Sequence, residues 1–475
     1  MAKAKNKIKV SFPNMSSVGV TGSSCLIEMD NYTLLVEHGL HQNNSIKSDH
    51  KINSEKPPFK VKDIDFVFVL HNHIDHIGKI PMLYKQGADA KIIAPEKTYQ
   101  MFKTMLLDSA HIANKDAELL NRKYHMNVEP LYSNDDVNTA MEYYEEYPFG
   151  EIIEINPQIK FRFTNSGHIL QSAQLELWLT QNNSTTKKIY ISSDLGSNIP
   201  KYYVKPLEPV KSANLAICES TYSSAIRQVY PRDKKKDIEK IKTVIRNVCC
   251  EQRGKVLIPA FAADRTQNIA TVLYDIFGKD ESFRIPIYID SPLAEKITKL
   301  YLGILEGDDL KKLKDVLAWD NIKFVNSYTD SLALQTSKEP LVVISASGML
   351  SAGRSVSWAR NILPSSKSHI IFIGFSAEGS LAGRIRDSRK NKTITVDGKA
   401  VANRCGVTSL LSFSSHIQHD SMLKYYSDMN VEKIALVHSE YKSRCEFAKE
   451  LQDEISRKNK SGKVIIVNKS TKILL

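Results

Sequence analysis

His71-Asn72-His73-Ile74-Asp75-His76 brings three imidazoles and a carboxylate into six residues, directly behind the apolar run Val67-Phe68-Val69-Leu70. A strand that ends this way delivers its polar side chains to one place, where the backbone turns out of a sheet. Imidazole nitrogen and carboxylate oxygen suit zinc, manganese or iron, and four such groups exceed what one open catalytic ion needs. The stretch therefore points to two metals side by side, the arrangement that hydrolyses a phosphoryl or acyl centre. The plain rival is a polar, His-rich surface loop.

Further along the chain, other members of the 13 histidines follow apolar runs in the same way. His168 comes after the strand expected at 161–164, and His438 after Ile434-Ala435-Leu436-Val437. His416 lies in Phe413-Ser414-Ser415-His416, and Asp194 follows Ile191-Ser192. Any one of these is as readily a structural residue. As a set, each at a strand-to-loop junction, they mark the positions where α/β scaffolds carry ligands.

At 475 residues the chain is too long for one ordinary core, so two domains are expected. The hydrophobic content of 42% and charged content of 25% are globular values. A net charge of +12 favours a polyanionic partner such as nucleic acid, although a lysine-rich surface also serves solubility. Cys25, Cys218, Cys249, Cys250, Cys405 and Cys445 show no CxxC spacing and read as reduced residues of a cytoplasmic or nuclear protein. The basic N-terminus lacks the apolar core of a signal peptide, and no apolar stretch is long enough to span a membrane.

Short strands are expected at 25–28, 33–36, 65–70 and 91–94, with helical segments at 78–86 and 97–125. The acidic, tyrosine-rich stretch 134–147 reads as an exposed helix or loop. Strands follow at 161–164, 175–180 and 188–192. From about residue 208 strands and helices alternate, with strands at 215–219, 256–259, 285–290, 341–345 and 370–374, the signature of a parallel α/β unit. Short strands return near 392, at 393–396 and 434–437. Lys234-Lys235-Lys236 reads as a solvated helix face.

This ordered set resembles the metallo-β-lactamase fold hydrolases, and within them the β-CASP branch, which includes RNase J and the nuclease subunit of eukaryotic pre-mRNA cleavage. The HxHxDH signature matches at His71, His73, Asp75 and His76, the single His and Asp motifs at His168 and Asp194. The branch's own motifs match at Glu219 (in Glu219-Ser220-Thr221-Tyr222), His416 and His438. Family-like strings recur at Pro259-Ala260-Phe261-Ala262, Asp290-Ser291-Pro292, Ser345-Ala346-Ser347-Gly348-Met349 and Ala377-Glu378-Gly379. The likeness implies an αββα sandwich built from residues 1–207 and 392–475, with an inserted α/β β-CASP domain over 208–391. Histidine at position 438, where DNA-repair members carry valine, implies RNA.

The resemblance also implies roles. One metal would take His71, His73 and His168, the second Asp75, His76 and His438, with Asp194 bridging two zinc ions or manganese in their place. Asp75, His416 and Glu219 would form the catalytic group, His416 as general acid held by Glu219. Arg265, the turn Ser345, Ser347 and Gly348, and Ser414 and Ser415 would bind substrate phosphates, each equally explicable as turn or capping chemistry. The implied substrate is single-stranded RNA, with a second copy of the chain or an RNA-processing protein as further partners. The rival classes are a non-catalytic RNA-binding scaffold and a hydrolase of small esters or thioesters.

The chain departs from the pattern in several places. Glu37-His38 stands where an aspartate is usual, Asp264 where glycine precedes the arginine, Asn268 where glutamate is usual, and Ser439 where glycine follows the last histidine. The short segment after the third motif leads us to expect no extra C-terminal domain of the RNase J kind, and none of the N-terminal KH domains of archaeal relatives.

Overall fold

The computed structural model of the chain describes residues 7–14, 20–42, 45–182, 185–197, 201–224, 233–374 and 379–475. Contacts divide the chain into two compact units. The first holds Met1–Asn198, Val204–Tyr230 and His416–Leu475, the second Ile199–Tyr203 and Pro231–Ser415.

The first unit is a sandwich of two seven-stranded sheets. One sheet runs, edge to edge, Lys472–Leu474, Lys9–Ser11, Ser24–Met29, Tyr32–His38, Phe66–Phe68, Lys91–Pro95 and Tyr144–Tyr147. The other runs Lys463–Ile466, Asn430–Val437, Ser212–Glu219, Thr186–Ile191, Ala173–Thr180, Ile159–Asn165 and Ile153–Asn156. Alternation explains the pairing face: in Ile159–Asn165, Ile159, Phe161 and Phe163 are buried while Lys160 and Arg162 are not. These residues meet Ile27, Leu34, Val36, Phe68 and Leu70 of the opposite sheet in one apolar core. Helices such as Tyr99–Tyr124 and Tyr441–Arg457 complete the αββα layers.

The second unit is built on a six-stranded, wholly parallel sheet in the order Ile322–Phe324, Ile287–Asp290, Leu341–Ser345, Lys255–Pro259, His369–Ile373, Gly406–Leu410. All five residues of Leu341–Ser345 are buried, as a central parallel strand covered on both faces requires. The αββα fold with an inserted α/β domain is thus present.

The boundaries at 208 and 392 do not coincide with these units. Strand Ser212–Glu219 pairs in parallel with Thr186–Ile191 and Asn430–Val437 of the first unit. An apolar run buried on both faces looks the same in either parallel region, so its sequence carried no sign of which sheet it joins. At the other end, Gly406–Leu410 stays with the second unit beside His369–Ile373. The acidic stretch 134–147, expected to be an exposed helix or loop, is helical at its start and a strand at its end. Asn134–Met141 is a helix closed by a Ser133/Asp136 capping box, and Tyr144–Tyr147 is an edge strand. Its Tyr144 packs on Phe102, and Tyr147 packs on Phe161. Among the cysteines, Cys25, Cys218, Cys249 and Cys405 are buried, Cys250 is exposed, and all six are free. Among the described residues no helix is long and apolar enough to cross a membrane.

Candidate metal centre

Strand Phe66–Phe68, inside the first sheet, continues through Val69, whose amide still bonds Ile93 O, and leaves the sheet at His71. His73 begins the short helix Ile74–Ile77, which carries Asp75 and His76. Gly39 lies against this turn so closely that a Cβ would fall 1.6 Å from the Asp75 carbonyl oxygen. Only glycine fits there. His168 follows Ile159–Asn165, its amide held by Ser172 Oγ at 3.1 Å. Asp194 follows Thr186–Ile191, and His438 follows Asn430–Val437 in the left-handed region at φ +60°.

These strand ends converge. Ligand atoms of His71, His73, His168 and Asp194 lie within 4.8 Å of one another, as do those of Asp75, His76 and His438. Asp194 faces both groups. Its Oδ2 lies 3.6 Å from His71 Nε2 and 3.4 Å from His168 Nε2, and its Oδ1 lies 3.3 Å from His76 Nε2 and 3.5 Å from His438 Nδ1. Nε2 of His71, His76 and His438, and Oδ1 of Asp194, are buried and make no hydrogen bond among the described residues. His168 Nε2 and His73 Nδ1 face each other at 3.2 Å. Converging buried polar atoms without partners are costly, and cations between them would satisfy the whole set. The donor set, imidazoles with carboxylates, fits zinc or manganese.

Electrostatics agree with that fit. Burial, followed by the neighbouring His71, pushes His73 down to about 3, which keeps it as the neutral imidazole a metal requires. Burial by itself would raise the Asp194 carboxyl. The surrounding imidazoles, His438 and His76 foremost, outweigh it and hold the group well below the usual carboxylate range.

A second layer of contacts aims these rings. Glu37 Oε2 lies 2.6 Å from His76 Nδ1, while Ser23 Oγ and Ser193 Oγ donate to its two oxygens at 2.8 and 2.6 Å. Thr221 Oγ1 lies 3.0 Å from His438 Nδ1. Ser439, the residue in place of the usual glycine, shares a 2.7 Å contact with Ser220 Oγ and receives Arg444 Nε at 3.2 Å. The buried Arg444 also donates to the carbonyls of Ser439 and Val467, which braces the turn carrying His438. Sequence reading missed Thr221, Ser193 and Arg444. The first two adjoin motif residues, whereas nothing local marks Arg444.

Glu219 ends strand Ser212–Glu219, in register with Val437 of the neighbouring strand. Its Oε1 accepts the Leu195 amide at 2.8 Å and its Oε2 the Thr221 amide at 3.0 Å. Oε1 also lies 3.2 Å from His416 Nδ1, and His416 Nε2 points inward, 3.9 Å from Asp194 Oδ2. His416 is the more open of the pair, its side chain 15% exposed against 2% for Glu219.

The expected phosphate-binding residues lie in the second unit and are more inward than the sequence suggested. Ser345 is buried and donates to Asp290 O at 3.0 Å. Ser347 Oγ accepts the Ser351 amide at 2.9 Å, and Gly348 packs against the Phe261 ring. Ser414 and Ser415 are buried, and Ser415 Oγ donates to Asp264 Oδ2 at 3.0 Å. Arg265 lies over the Phe261 ring at 5.0 Å and opens the helix Arg265–Phe277.

Asp264 sits at φ +67°, ψ −63°, with Arg265 N bonded to Ala263 O at 2.9 Å. This is a γ-turn of the strained hand, which glycine accommodates most easily and which accounts for glycine being usual there. Asn268 Nδ2 donates to Asp264 Oδ1 at 3.1 Å, so the two departures at 264 and 268 are partners. Lys201 Nζ lies 3.9 Å from the same carboxylate, and burial pushes Lys201 down to about 8 against that attraction.

Comparison with known proteins places the Beta-Casp domain model on residues 266–385 and the Zn-dependent metallo-hydrolase RNA specificity domain model on residues 401–465. The transcription termination factor FttA of Methanocaldococcus jannaschii is 27% identical over 453 residues, 93% of this chain and 68% of that protein. Ribonuclease TTHA0252 of Thermus thermophilus is 26% identical over 427 residues, 89% of this chain and 91% of that one. An RNase J-like protein of M. jannaschii is 27% identical over 400 residues, covering 83% and 86% of the two chains. Among solved structures, a protein of unknown function from Enterococcus faecalis V583 superposes with a TM-score of 0.51 at 11% identity, over 99% of this chain and 100% of that one, a likeness of fold.

Proposed function

Because the chain belongs to the β-CASP branch of the metallo-β-lactamase fold, we propose that it is a metal-dependent ribonuclease that hydrolyses phosphodiester bonds of single-stranded RNA. The observation that carries this reading is Asp194, whose two oxygens each face one of the two ligand groups. His71, His73 and His168 would hold one zinc or manganese ion, and Asp75, His76 and His438 the other, with Asp194 shared. When bound, such ions supply Lewis acidity that activates water near neutral pH and neutralises phosphate charge.

The chain's own residues do the rest. The water oxygen releases a proton to solvent and bonds to phosphorus as the bond from phosphorus to the leaving ribose oxygen breaks; that oxygen takes a proton from His416 Nε2, which solvent then restores. Glu219 accepts Nδ1–H of the same ring, which fixes its tautomer and leaves Nε2 turned towards the centre. The backbone amides of Leu195 and Thr221 occupy the remaining acceptor sites of Glu219 and hold it still. Glu37 binds the outer nitrogen of His76, so its Nε2 stays directed to the centre, and Thr221 holds His438 by Nδ1, which leaves Nε2 facing Asp75.

The names of the similar proteins, a termination factor and two ribonucleases, support RNA as the substrate class. A scaffold that binds RNA without cutting it is the competing reading. Chelation separates them: cleavage of labelled RNA should stop on metal removal and return with zinc or manganese, while RNA binding persists. Binding without cleavage in either metal would favour the scaffold.

A further inference from the structure

Residues 384–404, in the second unit, carry seven cationic side chains and two acids. They form the end of helix Leu381–Asp387 and a two-stranded ribbon, Thr393–Val396 against Lys399–Ala402. The two-residue turn Asp397-Gly398, both with positive φ, sets the hairpin twist. Ile394, Val396 and Val401 anchor its inner face in the cluster around Trp358 and Ile385. At its base, Asn403 N bonds Lys392 O at 2.8 Å and Asn391 N bonds Asn403 O at 2.6 Å, which brings the Lys390–Lys392 approach beside Arg404.

Both acids are already engaged. Asp387 is held by Arg386 at 2.7 Å, and Asp397 lies 3.7 Å from Arg360. Arg384, Arg389, Lys390, Lys392, Lys399 and Arg404 are exposed, and among the described residues none makes an ion pair. The outward face of the ribbon carries only Thr393, Thr395, Ala400 and Ala402, small side chains that let a strand lie close, while Lys399, paired with Val396 on the anchored face, stands exposed beside the turn. None of the large exposed apolar side chains of the described residues lies in this segment. A protein interface needs such an anchor at its centre, whereas a phosphate backbone needs only spaced cations and an unobstructed path.

We propose that this ribbon and its flanks are a second RNA-binding surface, outside the metal centre, that takes the sugar-phosphate backbone of single-stranded RNA. The inference rests on the reading of the protein as one that acts on RNA, and it assigns the surface to affinity and not to bond cleavage. Long substrates would be retained by it, and short ones would not need it.

The test compares the wild type with a variant carrying Lys390→Ser, Lys392→Ser and Lys399→Ser, and with the same three positions changed to arginine. Binding of uridine-rich RNA of about 40 nucleotides would be followed by fluorescence anisotropy across a salt series, beside cleavage of an RNA of about 6 nucleotides. The serine variant should lose affinity for the long RNA by about tenfold or more. Its salt slope should fall by about two, the value for three lost single-strand contacts. The arginine variant should match the wild type, and the short RNA should be cut at the wild-type rate. Unchanged affinity and slope in the serine variant would overturn the proposal. So would wild-type RNA binding together with lost retention of an acidic polypeptide such as polyglutamate, which would assign the surface to a protein partner. If no protein cuts the short RNA, it is the catalytic reading that fails, and the binding series still decides the surface.

Discussion

Glu37 Oε2 lies 2.6 Å from His76 Nδ1, and the ring so held turns its Nε2 to within 3.3 Å of Asp194 Oδ1. The acid that a resemblance would expect to be aspartate is one methylene longer, and it reaches the ring from a left-handed residue at φ +58°. Ser23 and Ser193 secure the same carboxylate. The departure at position 37 therefore keeps a supporting role in a different geometry.

Glu37→Gln removes the charge while keeping the side-chain length. It should weaken metal binding by roughly 10- to 100-fold, the usual effect of losing the outer partner of a ligating histidine. Elemental analysis after dialysis against graded metal buffers measures this directly, and the circular dichroism of the metal-free protein should not change.

Thr221→Val should act in the same direction through His438, with metal affinity lowered about tenfold. Thr221→Ser should restore it, because the hydroxyl near Nδ1 is the group that matters. Thermal unfolding of the metal-free variants checks that neither change works through global stability.

At position 264, backbone strain and side-chain bonding can be separated. Asp264→Gly and Asp264→Ala both give up the Ser415 and Asn268 bonds, yet only alanine keeps a Cβ at φ +67°. The alanine variant should be less stable than the glycine variant by about 1 kcal/mol in denaturant titration. Equal midpoints would remove the γ-turn as the reason glycine is usual there.

His369, in the second unit, provides a pH dependence free of the metal ligands. Burial, then the Lys240 charge, pushes it down to about 4, and its Nε2 lies 2.8 Å from Thr408 Oγ1. Between that value and the ordinary histidine value of about 6.5, the unfolded chain takes the proton and the folded one does not. Stability from this site is therefore complete above about pH 6.5 and is lost as pH falls towards 4. Discounted for its partial exposure, the loss is on the order of 1–2 kcal/mol. Urea titrations between those limits should show a shallower slope for His369→Gln.

Much of the layout is legible in the chain because it is written locally. Three histidines and an aspartate in six residues, and single histidines after apolar runs, need only a strand to end for their positions to be known. Partnerships across long separations leave no such trace. Glu37 meets His76 across 39 residues, and Thr221 meets His438 across 217. Ser345 looks like an anion-binding hydroxyl until its bond to Asp290 O turns it inward. Strand Ser212–Glu219 could join either parallel region, and only its pairing with Asn430–Val437 places Glu219 beside the histidines.

The most direct measurement is digestion of end-labelled single-stranded RNA by the zinc- or manganese-loaded protein, beside matched DNA and the His76→Ala and His416→Ala variants. The account predicts cleavage of RNA that both substitutions lower by at least about a hundredfold, the scale of losing a positioned proton donor. His416→Ala should retain bound metal and His76→Ala should lose it. Cleavage that survives both substitutions, or a protein that binds RNA fully metal-loaded and never cuts it, would contradict the account.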